Sequence, residues 1–359
     1  MNLLFLLFLI IVTMLIIWKA SDWFETASDY LWRNLSEWVK WATINAIASS
    51  LPELFTTLFF LFYLNDVDWI SWGIWTTAGS AIFNWMIIPA LVILVVVVFR
   101  KVKGVSVSKK VILRDWIALI LSEAVLVFLI SWTTLQWRHW FILMLMYICY
   151  IIYTLTSMKS NNIEESNEDE DEDEIIESKS KLKALFTLDL AYLVIWKWKI
   201  NKTKSIVLLS ISVIIIAVSC MLLVYTCEWI WEVLWIPIIF VSVVLAAAAS
   251  SVPDTIISMK DAKKWNYDDA VSNALWSNIF DICFALWAPL FLYTLINWPI
   301  TMNLEAATYS FELRLFLLVL TVITFFRYLF SKKMWKLTII FLLAMYWLFL
   351  IYVFYRVQL

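Results

Sequence analysis

The sequence predicts an all-α membrane protein of ten transmembrane helices, arranged as two inverted five-helix repeats. Three observations predict it: an apolar composition, a regular series of long apolar segments, and a polar motif that occurs twice. Of the 359 residues, 64% are hydrophobic and 16% charged, with a mean hydropathy of +0.85. Soluble domains are about half apolar and a quarter charged. The composition therefore excludes an ordinary soluble enzyme.

Ten segments are long and apolar enough to cross a bilayer, which needs about 20 residues per helix. They lie roughly at 2–18, 41–64, 70–99, 115–132, 139–157, 205–226, 233–258, 269–296, 312–330 and 336–355. The first lacks the cleavage pattern of a signal peptide, so we expect a retained span. The apolar segment 185–198 contains Asp189 and is flanked by lysines, which is more typical of an interfacial helix.

The distribution of basic residues predicts the orientation. With the N-terminus outside, 24 of the 27 Lys and Arg residues fall on the cytoplasmic side, and Arg138, Arg314 and Arg356 fall on the outer side. Cytoplasmic loops are enriched in Lys and Arg. We therefore expect an integral, multi-pass protein of the plasma (inner) membrane, with both termini outside and the central linker in the cytoplasm.

The central linker separates the two halves. The predicted domains are residues 1–157, the first repeat, residues 158–204, the linker with its interfacial segment, and residues 205–359, the second repeat. Ten acidic residues lie between Glu164 and Glu177, a composition that cannot bury apolar surface. We interpret this acidic run as a solvated tether, with attraction or sensing of cations as the alternative.

One polar motif occurs in both halves. Asn45–Glu53 reads NAIASSLPE, and Ala246–Asp254 reads AAAASSVPD 201 residues later. On the next predicted helix, Gly79–Asn84 (GSAIFN) matches Trp276–Asp281 (WSNIFD). Because each half has an odd number of helices, the second copy would run through the membrane inverted. Inverted repeats with interrupted helices are typical of secondary transporters.

The residue types of the motif predict a cation site. Pro52 and Pro253 each lack an N–H, so the carbonyl four residues earlier loses its helical donor. Glu53 and Asp254 follow the prolines, and an ionisable residue inside a membrane is costly and usually functional. Further oxygens come from Ser49, Ser50, Ser80, Asn84, Ser250, Ser251, Ser277 and Asp281. An all-oxygen set suits hard cations such as Ca²⁺ and Na⁺.

These strings resemble the alpha repeats of the cation/calcium antiporter superfamily, sodium–calcium exchanger type. Each alpha repeat of that family has a Gly-Thr-Ser-x-Pro-Glu/Asp helix and a Gly-Ser-Asn-x-Phe-Asn/Asp helix, and the stretch Ser250–Pro289 is the closest match. The sequence departs from the pattern at Ala48 and Ala249, where the family has glycine, and at Ala81, where it has asparagine.

The resemblance implies a role for each matching residue. It places Glu53 and Asp254 as central carboxylates that calcium and sodium reach alternately, and Ser49 and Ser250 at the positions of the ion-binding threonine. The other matches are the pattern serines Ser50, Ser251, Ser80 and Ser277, the lateral oxygen ligands Asn84 and Asp281, and the sodium-ligating carbonyls of Ala46 and Ala247.

The expected function is a secondary antiporter that exchanges Ca²⁺ for Na⁺ by alternating access. An antiporter of the same fold coupled to H⁺ or K⁺ is one alternative, and a cation channel or sensor is another. We expect no enzymatic activity, cofactor or nucleic-acid partner; the partners are the lipid bilayer and the transported ions. Four cysteines in apolar stretches predict buried, inert thiols, and Glu123 matches no motif.

The tryptophan content is abnormal, with 24 Trp and 3 Gly, whereas glycine usage averages about 7%. Trp276 and Trp287 stand where the family pattern has glycine, and Trp265 lies in a short loop typical of glycine. We therefore hypothesise that many of these tryptophans are glycines, encoded by a stop codon that the source reads as glycine. The alternative is a tryptophan-rich protein with a rearranged core.

Overall fold

The computed structural model describes residues 2–33, 46–62, 69–99, 104–159, 201–235, 238–297, 299–331 and 333–358, which are almost entirely helical. The helices are α1 (Leu3–Leu31), α2 (Ala46–Phe62), α3 (Trp69–Ile82), α4 (Ile88–Phe99), α5 (Lys109–Ile130), α6 (Trp137–Lys159), α7 (Lys202–Leu234), α8 (Ile238–Phe240), α9 (Ala247–Ser250), α10 (Val252–Lys263), α11 (Tyr267–Phe280), α12 (Trp287–Asn297), α13 (Leu304–Phe330) and α14 (Lys336–Gln358). Three π-helical segments, π1 (Phe83–Ile87), π2 (Val241–Ala246) and π3 (Asp281–Ala285), join consecutive helices.

Six helical segments among the described residues are long and apolar enough to span a membrane, and a seventh counts if a bent pair is one span. The six are Leu3–Leu31, Ile70–Val97, Lys202–Leu234, Tyr267–Ile296, Leu304–Phe330 and Lys336–Arg356. The protein is therefore a helical multi-pass membrane protein. Helix α2 is apolar but has 17 residues, and α5 and α6 fall outside the six, so the number ten stays a prediction.

Asparagine side chains begin three of the long helices. Asn2 Oδ1 accepts from the Leu4 N–H at 3.2 Å, and Asn201 Oδ1 accepts from the Lys204 N–H at 2.8 Å. Asn303 caps α13 in the same way. An N-cap side chain satisfies one of the backbone N–H groups that a helix start leaves without an intrahelical partner. These caps fix where the long apolar helices start.

Helices from the two halves pack against each other. Helix α1 packs along α7, α5 packs against α13, and α3 contacts the π2 segment. Two short strands, Thr134–Leu135 and Ile300–Thr301, pair antiparallel with Thr134 opposite Thr301, a small exception to the all-α prediction. The interleaved packing places the two polar motifs in the middle of the helical assembly.

Two expectations need correction. Arg314, counted above among the outer basic residues, lies inside α13 and is fully buried. Cys149 is exposed, whereas Cys220, Cys227 and Cys283 are buried as expected. Helix α6 ends at Lys159 and α7 begins at Lys202, and the linker 158–204 stays a prediction. The acidic run and the segment 185–198 lie outside the described residues.

Two tryptophans adopt a backbone conformation that favours glycine. Trp235, which ends α7, has φ 51° and ψ 29°, and Trp265, between α10 and α11, has φ 71°. Among the described residues they are the two non-glycine residues with positive φ. This region is uncommon for residues that carry a Cβ and is the usual conformation of the glycine that ends a helix. Two tryptophans therefore occupy positions whose backbone conformation is typical of glycine.

Candidate functional site

The first motif lies on α2, which continues through Pro52. Ser49, Ser50 and Glu53 are all fully buried. The Ser49 hydroxyl donates to the Ala46 carbonyl at 3.3 Å. Helix α2 therefore presents one carboxyl group and two hydroxyls to the interior of the protein.

The second motif lies where a helix breaks. The segments Val241–Ser250 and Val252–Lys263 meet at an angle of 46° around Ser251. Pro253 falls in the first turn of α10, where its missing N–H breaks no helical hydrogen bond. Ser250 donates to the Ala247 carbonyl at 3.1 Å, repeating the Ser49–Ala46 geometry of the first motif. Asp254 then stands fully buried in the first turn of α10.

Serine hydroxyls join the two motifs. Ser50 Oγ lies 2.7 Å from Ser277 Oγ, and Ser277 donates to Asp254 Oδ2 at 2.8 Å. Because a hydroxyl has one proton, Ser277 accepts from Ser50. Each carboxyl group of the central pair is therefore oriented by a serine from the neighbouring helix, and that serine is itself held by the other half of the chain.

The matching contacts exist on the other side of the site. Ser80 donates to Glu53 Oε1 at 3.0 Å and lies 2.9 Å from Ser251 Oγ. In addition, the Ser250 side chain interacts with Glu53, and the Ser49 side chain interacts with Asp254. The four serines of the two Ser-Ser pairs all contact groups from the opposite half.

The two lateral oxygen residues lie at the π-helical segments. Asn84 in π1 donates from Nδ2 to Asp254 Oδ2 and to Asn278 Oδ1, each at 3.1 Å. Asp281 begins π3, is fully buried, and interacts electrostatically with Glu53 and Asp254. Since π-helical turns are rare and often occur at functional sites, their position supports a functional role for Asn84 and Asp281.

Several oxygens at the centre have no hydrogen bond of normal geometry although they are buried. They are Glu53 Oε2, Asn84 Oδ1, Asp254 Oδ1 and both carboxyl oxygens of Asp281. A buried carboxylate or amide oxygen without a partner is costly. Each of the four residues predicted to supply a side-chain carboxyl or amide ligand thus has at least one acceptor left over, which a cation would satisfy.

Acidic residues alone do not form a metal site. Across the described ranges, no three His, Cys, Asp or Glu side chains are grouped so that they could hold a metal ion. A cation bound between Glu53, Asp254 and Asp281 would therefore also need the hydroxyl, amide and backbone oxygens around them. Of the two predicted carbonyl ligands, Ala46 accepts the Ser49 hydroxyl. The Ala247 carbonyl accepts both the Ser250 hydroxyl and the Ser251 N–H, each at 3.1 Å, so both of its lone pairs are used.

Sequence reasoning missed two asparagines of this network. Asn278 accepts from Asn84 and donates to the Ala81 carbonyl at 3.0 Å. Asn273 donates to the Asp254 carbonyl at 3.4 Å and to Ser258 Oγ at 3.2 Å. Asn273 lies one helical turn before Ser277, and this spacing was the available signal.

A glycine brings the two halves into close contact. A Cβ on Gly79 would lie 2.0 Å from the Val243 carbonyl oxygen and 2.7 Å from the Ala247 Cβ. The matching position of the second motif is Trp276, which is 2% exposed and whose indole N–H has no hydrogen-bond partner. The two matching positions are thus filled very differently.

The fold and the buried polar site define a multi-pass helical membrane protein in which the two copies of the polar motif meet around a pair of carboxyl groups. The family model for the sodium/calcium exchanger protein matches residues 5–156 and 186–355. The chain therefore belongs to the sodium/calcium exchanger protein family, which is a family of transporters. This agrees with the resemblance found in the two motifs.

Individual relatives match over a shorter stretch. The sodium/potassium/calcium exchanger 3 of Rattus norvegicus is 38% identical over 120 residues, which are 33% of this chain and 18% of that protein. The sodium/potassium/calcium exchanger 1 of Gallus gallus is 38% identical over 109 residues, 30% of this chain and 16% of that protein. The match thus spans less than a fifth of the length of these curated relatives.

Solved structures match the whole fold. The sodium-calcium exchanger NCX_Mj, soaked with Na⁺ and Sr²⁺, superposes with a TM-score of 0.58 at 21% identity and covers 97% of this chain and 98% of its own. The H⁺/Ca²⁺ exchanger CAX superposes with a TM-score of 0.60 at 13% identity, over 98% of this chain and 88% of its own. At these identities the likeness concerns the fold.

Proposed function

We propose that this protein is a secondary antiporter that exchanges Ca²⁺ for Na⁺ by alternating access at an all-oxygen site near the membrane midplane. The observation that carries the proposal is the group of buried acceptor oxygens on Glu53, Asn84, Asp254 and Asp281 that lack a hydrogen bond of normal geometry. Hard cations take carboxylate, carbonyl, amide and hydroxyl oxygens as ligands. Membership of the exchanger family supports the same function.

Competition for shared ligands would couple the two ions. The carboxylates of Glu53, Asp254 and Asp281 carry up to three negative charges when ionised, and they interact with one another. Three charges balance one divalent cation or several monovalent cations, but not both sets together. Calcium and sodium would therefore occupy the site in alternation.

Coupling that also involves K⁺ is the second candidate. The curated relatives are named sodium/potassium/calcium exchangers. In this chain the lateral pair consists of one amide, Asn84, and one carboxyl group, Asp281. Neither Asp281 oxygen has a hydrogen bond of normal geometry, although the side chain interacts with Ser50. When ionised, Asp281 would add a third negative charge to those of Glu53 and Asp254, and this charge would balance one more monovalent cation.

We further propose the arrangement behind this mechanism. Ten spans would form two inverted five-helix repeats, 1–157 and 205–359, with both termini outside and the linker in the cytoplasm. The matched serine contacts of the two halves support the repeat, and the distribution of Lys and Arg supports the orientation. A tag at either terminus should be labelled from outside intact cells, and a tag within 164–177 should not; labelling of the linker would overturn the orientation.

Ion flux into proteoliposomes tests the function directly. Vesicles containing the purified protein are loaded with Na⁺, K⁺ or neither, and Ca²⁺ uptake is followed at fixed pH, first without and then with a protonophore. Uptake driven by an outward Na⁺ gradient is the expected result, and a further requirement for K⁺ would select the second candidate. Uptake that ignores Na⁺ and stops when the protonophore is added would replace both with an H⁺-coupled antiporter.

A further inference from the structure

A buried ion pair lies beside the ion site and is not part of it. Arg314 on α13 is 0% exposed and is the one buried Lys or Arg side chain in the part of the chain that the structure describes. Its Nη1 donates to Oε1 of Glu123 on α5 at 3.0 Å, and Glu123 is also 0% exposed. Glu123, which matches no motif, is thus the partner of Arg314, which the sequence alone places on the outer side.

The same guanidinium reaches a third helix. Its Nη2 donates to the Ile74 carbonyl at 3.0 Å and to the Thr77 hydroxyl, both on α3. The Thr77 hydroxyl in turn donates to the Gly73 carbonyl at 2.8 Å. A planar guanidinium can satisfy several acceptors in fixed directions, whereas an ammonium group acts as a point charge. Arg314 therefore joins α13, α5 and one turn of α3.

That turn of α3 leads directly into the ion site. Ser80 follows Thr77 by three residues, on the same face of the helix, and donates to Glu53 Oε1 at 3.0 Å. The contacts thus run from Glu123 through Arg314 and α3 to Glu53. In the second half, Ala274 stands where Thr77 stands in the first, and alanine has no hydroxyl, so that contact has no counterpart there.

The chemistry of the pair favours a role in geometry over a role in stability. Burying two charges costs desolvation, and well-packed apolar residues often join helices at least as stably. Glu123 Oε2 and Arg314 Nε are buried without hydrogen bonds, so the pair is not optimised for stability alone. Arg314 also interacts electrostatically with Asp281, which links it to the second acidic side of the site.

We propose that Arg314, held by Glu123, is a positioning residue for ion exchange: it fixes the turn of α3 before Ser80 and thereby sets the geometry of Glu53. This inference rests on the proposed function. It gives Glu123 and Arg314 a role although both lie outside the repeated motif. It predicts that loss of either side chain weakens cation binding around Glu53.

The experiment compares the full-length wild type with Arg314→Lys and Thr77→Val. Arg314→Lys keeps the positive charge but loses the fork, and Thr77→Val keeps the volume but loses the hydroxyl. The matched control is the pair of Glu312 and Arg356, also between α13 and its neighbour, whose atoms lie 2.6 Å apart but whose side chains are about one third exposed. The control variants are Glu312→Gln and Arg356→Lys.

Two readouts are taken on each variant in detergent and in proteoliposomes. The first is the Ca²⁺ concentration that half-saturates uptake, and the second is the Ca²⁺ or Na⁺ concentration that half-protects the purified protein from heat. We expect both to rise about tenfold for Arg314→Lys, which disturbs the charge-assisted contacts to Glu123, Ile74 and Thr77, and less for Thr77→Val, which removes one of these contacts. The two control variants should match the wild type.

The outcomes separate this inference from the proposed function. Unchanged half-saturating and half-protecting concentrations in Arg314→Lys would overturn the inference, even if the variant melts at a lower temperature. If Arg314→Lys does not fold, Thr77→Val decides by the same criterion. A wild type that is protected by cations but does not transport Ca²⁺ would refute the exchange function. The half-protecting concentrations of the variants would then still test the role of Arg314 in cation binding. A wild type that no cation protects would overturn both.

Discussion

Ser50 and Ser277 share a hydrogen bond of 2.7 Å across the boundary between the two halves of the chain. Ser277 donates a hydrogen bond to Asp254 Oδ2 at 2.8 Å, so a serine of the first motif helps to orient the carboxyl group of the second. The same relationship, reversed, links Ser251 through Ser80 to Glu53. A shift of either motif helix would therefore disturb the hydrogen bonds of both carboxyl groups.

This mutual dependence predicts that the central carboxyl groups are equally necessary. Glu53→Gln and Asp254→Asn should each abolish Ca²⁺ transport, because a neutral amide cannot replace the charge that a divalent cation needs. Both side chains are fully buried. The measurement is Ca²⁺ uptake into proteoliposomes, with size-exclusion chromatography to verify folding.

Glu305→Gln is the matched control for that experiment, since Glu305 is an exposed acid at the start of α13. It should transport Ca²⁺ at the wild-type rate. A normal rate in Glu53→Gln would show that the central site has been assigned to the wrong residues.

How far the sequence predicts this site depends on the range of the interactions. The repeated strings identify Glu53, Asp254 and their serines because each string is local and occurs twice. Nothing local announces the Glu123–Arg314 pair, whose partners are 191 residues apart. An arginine in an apolar segment is typical of the end of a span, and for this reason the sequence alone places Arg314 on the outer side.

Asp281→Asn should have a smaller effect on transport than either central substitution. The matching residue of the first half, Asn84, is already an amide, so the site tolerates that group in one lateral position. The change removes a buried group that can carry a negative charge when a cation binds, and it should therefore alter which monovalent cation drives uptake, and how many are needed. Ca²⁺ uptake with Na⁺ gradients, with and without K⁺, measures this; the same cation dependence as the wild type would show that Asp281 does not select the coupling ion.

Gly79→Ala should destabilise the protein. The added Cβ would lie 2.0 Å from the Val243 carbonyl oxygen, part of the backbone of π2, which cannot move as a side chain tip can. Overpacking typically costs about 1–3 kcal/mol, and a clash with backbone lies at the upper end. Thermal unfolding in detergent measures the loss. Gly73→Ala is the comparison, since its Cβ would meet the Thr57 Cγ2 at 2.8 Å, and it should be tolerated better.

The last prediction concerns the tryptophans themselves. Trp235 and Trp265 hold positive φ angles, and Trp276 matches Gly79, the position where no Cβ fits. Bulky residues at such positions are strained or overpacked, whereas glycine fits all three. Since the sequence has 24 Trp and 3 Gly, glycine encoded by a reassigned stop codon accounts for both numbers. Mass spectrometry of the protein from its own source should find glycine at these positions. Ordinary tryptophan codons in the gene at 235, 265 and 276 would refute the reassignment and leave a protein that is rich in tryptophan.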